Sequence, residues 1–257
     1  MNSQERNYGP GKYAALNLML ARWLRTTPEV AEKYCYVTLG GTELYDIANI
    51  CWIDSRLLES ITSYEVEAPH FRLAEETANQ FKSKGINVEV LNGDIFQYRR
   101  SLGSEKPHIY YIDVTGVFYL SAHRAVFRTW FDREVIQPGD FILITSYLGA
   151  RVPIRERLPE FDADFKKLRI ESADDKAKFY EVLHPLFVLS RALIDARLTD
   201  ELNLRCIGAV KYRANREPMG LYGILCESGK SRLSVMASGV PYFDTLKRDW
   251  FTLPAVK

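Results

Sequence analysis

Cysteine is scarce: Cys35, Cys51, Cys206 and Cys226 are the only four in 257 residues, far apart in apolar stretches (YCYV, NICW, LRCIGAV, GILCES) with no C-x-x-C pair. They read as buried reduced thiols and not as a disulfide or zinc framework. Histidine is as sparse, at His70, His108, His123 and His184, and the dispersed acids add no ligand spacing, so no metal is expected. No uncharged apolar run reaches the ~18 residues a membrane-spanning helix needs. The polar stretch MNSQERNYGPGKY has no apolar segment behind a basic start, so no secretory leader is expected and the chain reads as cytoplasmic. Neither sign of charge dominates: 34 Lys+Arg against 33 Asp+Glu leave a formal charge of +1. That balance argues against a surface wholly devoted to nucleic acid or anionic membrane, while a local basic patch stays open. Repeats, low-complexity tracts and Pro/Gly/Ser linkers are absent too.

What is present is ordinary globular composition, 47% apolar and 26% charged, enough to bury a sizeable core. Residues 10–26 place Ala14, Leu16, Leu18, Leu20, Trp23 and Leu24 at spacings that favour a helix covering one edge of the core. From residue 34 short apolar runs alternate with helical stretches. Strands are expected at 34–39, 60–66, 86–94, 108–114 and 141–148, with helices at 43–53, 67–85 and 118–135. The 67–85 helix is the best punctuated, with Pro69 in its first turn, acids early, lysines late and Gly85 as a stop. Such alternation implies parallel βαβ units in an open twisted sheet, with ligand bound at the carboxyl ends of the strands. Beyond 150 the rhythm breaks. Residues 151–169 are charged and irregular, 176–198 read as a helix interrupted at Pro185, and 203–213 and 220–228 form two strands close enough only for an antiparallel hairpin. This divides the chain into a helical extension (1–33), a Rossmann-like half (34–150) and a helical insertion plus hairpin of the same domain (151–257).

Four short runs fall at the strand ends. Val37-Thr38-Leu39-Gly40-Gly41-Thr42-Glu43 follows the first strand, and its two glycines permit a tight turn with little obstruction before a helix whose N–H groups are free. Glu65 ends the second strand, 25 residues after Gly40, near the ~20-residue spacing of a dinucleotide-binding acid; Glu67 is the one-register alternative and equally suits a helix N-terminus. Asn92-Gly93-Asp94 follows the third strand and is also good turn chemistry. Ile112-Asp113-Val114-Thr115-Gly116 follows the fourth, where a carboxylate at a buried mouth is costly unless bonded or useful.

Over roughly residues 34–228, this order and these runs resemble the class I (Rossmann-like) S-adenosylmethionine-dependent methyltransferases. The resemblance implies an α/β fold, a doubly wound, mostly parallel seven-stranded sheet that ends in an antiparallel hairpin with helices on both faces. It further implies S-adenosyl-L-methionine as cofactor, held by Gly40, Gly41, Thr42 and Glu43 in the glycine loop, by Glu65 on the ribose hydroxyls and by Asp94 near the adenine. Asp113 takes the catalytic or acceptor-positioning place, with Thr115, Phe118 and Tyr119 lining the acceptor pocket. Thr38 stands where the family carries an acid, and Glu43 and Asp46 are the candidates to replace it. An Asn/Asp-Pro-Pro-aromatic run after the fourth strand, used for exocyclic amines of bases, is missing. His123 and His70 read as packing or surface residues, although His123 and Asp113 are the candidate bases if the acceptor must lose a proton. The basic stretches Arg151–Arg169 and Lys211–Arg216 give nucleic acid a slight preference as acceptor over a small molecule or protein. Two alternatives remain: a catalytically degenerate methyltransferase fold acting as a binding or regulatory protein, and a nicotinamide-dependent oxidoreductase, which lacks its third glycine here.

Overall fold

The computed structural model describes residues 10–27, 33–100, 106–113, 120–148, 188–214, 217–230, 241–244 and 249–252, with the isolated positions 166, 172 and 185. Helix α1 (Pro10–Thr26) leads into β1 (Tyr34–Thr38), α2 (Tyr45–Asp54), β2 (Leu58–Glu65), α3 (Ala68–Ser83) and β3 (Val88–Asn92). Then come β4 (His108–Asp113), α4 (Leu120–Asp132), β5 (Phe141–Tyr147), the long strands β6 (Leu202–Ala214) and β7 (Glu217–Ser228), and the short β8 (Pro241–Asp244) and β9 (Asp249–Thr252). One sheet contains them all, in the order β3-β2-β1-β4-β5-β7-β6-β8-β9. The first five are parallel, and β7 and β6 close the series as an antiparallel pair.

The expected α/β sheet of seven strands is therefore present, with one addition. Beyond the hairpin, β8 runs parallel to β6 and β9 antiparallel to β8, so the sheet continues two strands past β6. Strand order reverses between β1 and β4, which makes the crevice above those two carboxyl ends the switch point of the sheet.

Parallel strands buried on both faces carry continuous apolar runs, and β4 and β5 do so here: Ile109, Tyr110, Tyr111, Ile112, Phe141, Ile142, Leu143 and Ile144 are almost wholly excluded from solvent. Alternate side chains feed two cores. One face packs Tyr110, Ile142 and Ile144 under Phe127, Trp130 and Phe131 of α4 and under Val188, Leu189, Ala192 and Leu193 of the helical run 188–195. The other packs Tyr36, Tyr111 and Leu143 under α1, α2 and α3.

Helix α1 crosses that second face and does not sit at an edge. Its buried stripe is Ala15, Leu16, Met19, Leu20 and Trp23, while Ala14 is exposed and Leu18 and Leu24 are half-buried. Trp23 stacks on Phe141 of β5 with ring centroids 5.2 Å apart and meets Tyr34 of β1 edge-on at 4.9 Å. Gly223 of β7 leaves the room for Met19, because a Cβ there would lie 2.9 Å from Met19 Cγ and 3.1 Å from Phe141 Cζ. Near the helix's far end, Arg22 Nε donates to the carbonyl of Ile207, the extra residue of a bulge in β6.

The amino ends of β4 and β5 are fixed by a buried ion pair. Arg100 Nη1 lies 2.8 Å from Asp140 Oδ2, and Asp140 also accepts from the backbone N–H groups of His108 (2.7 Å) and Gln137 (2.8 Å). All four cysteines are unpaired thiols; Cys226 is buried and the other three are half-buried. No helix among the described residues is long and apolar enough to cross a membrane, and no group of three or more metal-ligating side chains occurs among them.

Candidate functional site

The carboxyl edge of the parallel strands brings together Gly40 and Gly41 after β1, Glu65 at the end of β2, Asp94 beyond β3 and Asp113 at the end of β4. Each glycine of the first loop has a local cause. A Cβ on Gly40 would lie 2.7 Å from Leu44 Cδ2 and 2.8 Å from Ser63 Oγ, and its N–H donates to that same Ser63 oxygen at 3.1 Å. Gly41 takes the left-handed region at φ 61°. The turn then carries Leu44 into the left-handed region as well, at φ 50°, and α2 begins with no side chain capping it. Its first-turn N–H groups thus face the loop without the usual hydroxyl or carboxylate partner.

Thr38, at the place expected for an acid, is fully buried, and the carboxylate behind it comes from α2. Asp46 Oδ2 accepts from Tyr36 Oη (2.9 Å) and Thr38 Oγ1 (2.5 Å), while its Oδ1 is buried with no hydrogen-bond partner. Burial pushes the Asp46 carboxyl upward; the Thr38 and Tyr36 hydroxyls and the Lys12 ammonium pull it back, and the charge on Asp113 raises it again. Of the two candidates to replace the missing acid, Asp46 is thus enclosed beneath the loop and Glu43 is exposed on it.

At the end of β2 the two acids separate. Glu65 is 8% exposed and its Oε1 accepts from Glu67 N–H at 3.0 Å. Glu67 is the residue before α3, and its carboxylate pairs with His70 Nδ1 at 3.1 Å. The β3 turn is laced to β2, since Gly93 N–H (3.1 Å) and Asn92 Nδ2 (2.9 Å) both donate to the Glu65 carbonyl. Asp94 is exposed and accepts from Phe96 N–H at 3.0 Å, capping the short 3-10 turn Ile95–Gln97. Val66, between the two acids, is an apolar side chain 63% exposed on the same edge.

Asp113 is not an open carboxylate. Thr145 Oγ1 of β5 donates to its Oδ1, and Lys12 Nζ of α1 forms an ion pair with its Oδ2; the side chains of Lys12 and Asp113 are 11% and 7% exposed. Lys12 also lies 5.9 Å from the centroid of the Tyr111 ring. Beside it, Tyr13 meets Tyr45 of α2 edge-on at 5.8 Å, so the first turn of α1 rests on the loop that begins α2. Thr115, Phe118 and Tyr119 lie outside the described residues, as do most of the basic stretch 151–169 and Arg216. Lys211 is half-buried on β6 and Arg213 is exposed at its end. His123 packs beside Phe96, with centroids 6.5 Å apart.

Lys12 and Thr145 were not anticipated. For Lys12 the only local signal is a lysine in the first turn of an otherwise apolar helix, directly after a glycine; Gly11 is there because a Cβ would lie 2.8 Å from the Arg213 carbonyl.

No protein-family model matches the chain, and no curated protein matches it significantly. Solved structures do. Magnesium protoporphyrin IX methyltransferase of Synechocystis PCC 6803, with bound SAH, superposes with a TM-score of 0.50 at 9% identity, over 88% of this chain and 87% of that one. Precorrin-6y C5,15-methyltransferase of Geobacter metallireducens GS-15 gives 0.43 at 11% identity, over 90% and 94%. With the strand order β3-β2-β1-β4-β5-β7-β6, the chain has the class I, Rossmann-like methyltransferase fold.

Proposed function

We propose that this chain is a methyltransferase that binds S-adenosyl-L-methionine along the carboxyl edge of β1, β2 and β3. The observation that carries the reading is the placement of Gly40-Gly41, Glu65 and Asp94 at the ends of three adjacent parallel strands beside the switch point, within reach of one elongated ligand. The residues fit such a ligand. Gly40 keeps the turn tight against Ser63 and Leu44, Gly41 with Thr42 and Glu43 offers backbone for close approach, and the uncapped start of α2 supplies N–H donors for a carboxylate. Glu65 is a buried, oriented carboxylate suited to two neighbouring hydroxyls, Val66 offers an apolar surface beside it, and Asp94 can accept from an exocyclic amine.

The cofactor supplies an activated methyl on a sulfonium. The protein's part is to hold an acceptor in line with it, at the Asp113 end of the crevice, and to keep water away. Thr115, Phe118 and Tyr119 are proposed to line that acceptor wall. Nucleic acid is the favoured acceptor class over small molecules and proteins, supported by exposed Arg213 at the end of β6 on the same edge.

Calorimetric titration with S-adenosylmethionine and S-adenosylhomocysteine, with NADH as control, tests the cofactor. Binding of the sulfur ligands alone is expected, and Glu65→Ala should weaken it roughly ten- to hundredfold without unfolding the chain. Unchanged affinity in that variant removes Glu65 from the site, and preference for NADH removes the whole reading. Labelled-methyl transfer to RNA, DNA and cell extract then identifies the acceptor. Tight binding with no transfer to any of them replaces the enzymatic reading by that of a cofactor-binding regulatory protein.

A further inference from the structure

The crevice at the switch point already holds an ammonium group, and it is the protein's own. Lys12 reaches from the first turn of α1 to the end of β4 and pairs with Asp113, under the hydroxyl of Thr145 and beside the face of Tyr111. The second carboxylate of the crevice, Asp46, is close enough for its ionisation to respond to both Lys12 and Asp113. Tyr13, the next residue, rests against Tyr45, the first residue of α2, so this turn of α1 meets the helix that follows the Gly40-Gly41 loop. A carboxylate, a hydroxyl, an aromatic face and a second carboxylate nearby are what a site for an alkylammonium needs.

We propose that Asp113, Thr145 and Tyr111 form a subsite for the ammonium group of a bound ligand, that Lys12 fills this subsite in the ligand-free chain, and that the ligand's ammonium displaces it. The inference rests on the cofactor reading above, in which the ligand carries an amino-acid moiety next to the glycine loop. It makes Lys12 an internal competitor: the apparent Kd is the intrinsic one divided by the fraction of molecules in which the subsite is free. A ligand without an ammonium gains nothing from expelling Lys12 and is indifferent to it.

The test compares S-adenosylhomocysteine, which carries the α-ammonium, with 5′-methylthioadenosine, which lacks the amino-acid part. Lys12→Gln keeps a donor for Asp113 while removing the charge. It should tighten S-adenosylhomocysteine by about tenfold and leave 5′-methylthioadenosine within about twofold. Weaker S-adenosylhomocysteine binding in the variant would mean that Lys12 pairs with the ligand's carboxylate, and equal changes for both ligands would mean a general effect on the fold; either overturns the proposal. The wild-type protein provides a second readout that no folding defect can confuse. Acylation of Lys12 by an amine-reactive reagent, followed by peptide mass spectrometry, should speed up when S-adenosylhomocysteine is added and not when 5′-methylthioadenosine is added. Unchanged or slower labelling overturns the displacement. Should neither ligand bind wild type or variant, the cofactor reading falls and this inference with it; should wild type bind and the variant gain nothing, only the inference falls.

Discussion

Two buried titratable side chains at the base of the sheet are shifted in opposite senses. His108 is 2% exposed, and its ring is held neutral: Nδ1 donates to the Lys106 carbonyl at 3.0 Å, so Nε2 accepts from Tyr98 Oη at 2.8 Å. Burial, helped by the Arg100 charge, lowers it from 6.5 to about 4. Asp140 is pushed up to about 7 by burial, against the pull of Arg100 and of two backbone N–H donors. Between pH 4 and 6.5 the unfolded chain carries the histidine proton and the folded chain does not, so the His108 contribution makes stability rise with pH. From pH 3.8 to 7 the folded chain carries the Asp140 proton and the unfolded one does not, so that contribution falls as pH rises. Each slope approaches ~1.4 kcal/mol per pH unit, and in the shared window they oppose each other. In the urea unfolding of the wild type these two contributions should therefore nearly cancel from pH 4 to 6.5. His108→Gln should become less stable with rising pH across that range, and Asp140→Asn more stable. The slope is the readout, because the substitution also alters a side chain that accepts from Arg100 and from the His108 and Gln137 N–H groups. Three parallel profiles would show that neither group titrates as its burial implies.

Among the elements, α1 shows what periodicity alone conveys and what it leaves out. The apolar spacing of residues 10–26 was enough to predict a helix, and the observed bounds Pro10–Thr26 agree. The face it buries depends on partners far away in the chain: Met19 on Gly223, Trp23 on Phe141 and Lys12 on Asp113, 101 residues distant. For the same reason Asp113 could be placed at the strand mouth from its position after an apolar run, while the cation that pairs with it could not. Strands β4 and β5 are legible because burial on both faces forces continuous apolar runs, and β3 because Val88 and Val90 alternate with the exposed Glu89. By contrast β8 and β9, four residues each, are too short to show a period; β8 takes its place on the edge of β6, and β9 on the edge of β8. The contact of α1 with the hairpin gives a sharp test. Gly223→Ala forces a methyl into Met19 and the Phe141 ring edge and should cost about 1–3 kcal/mol in thermal or urea unfolding. Adding Met19→Ala should cost less in that background than in the wild type, because the truncation relieves the clash. Strict additivity of the two changes would place Met19 away from Gly223.

At the scale of the whole molecule, the sheet has one face that, among the described residues, α1, α2 and α3 cover, and α1 spans its centre from the carboxyl edge at Asp113 to the amino ends of β5 and β1. The sequence treats residues 1–33 as an extension to a Rossmann-like half, yet the side chains α1 buries, Leu16, Met19, Leu20 and Trp23, are continuous with Tyr36, Tyr111, Phe141 and Leu143 of the central strands. A helix so placed contributes core and not a cover. Losing Trp23 alone should cost about 3–5 kcal/mol, a large part of the stability of a typical domain. Removal of residues 1–27 should therefore abolish cooperative unfolding and near-ultraviolet dichroism and leave a species that binds a hydrophobic dye, because it uncovers the Phe141 ring and the hairpin around Gly223 together. A truncated chain that does not aggregate and melts in one sharp transition would mean that α1 is a detachable lid over a complete domain. In that event the Lys12–Asp113 contact would open by movement of the whole helix, whereas an α1 that cannot leave the core confines any displacement of Lys12 to its side chain and the first turn.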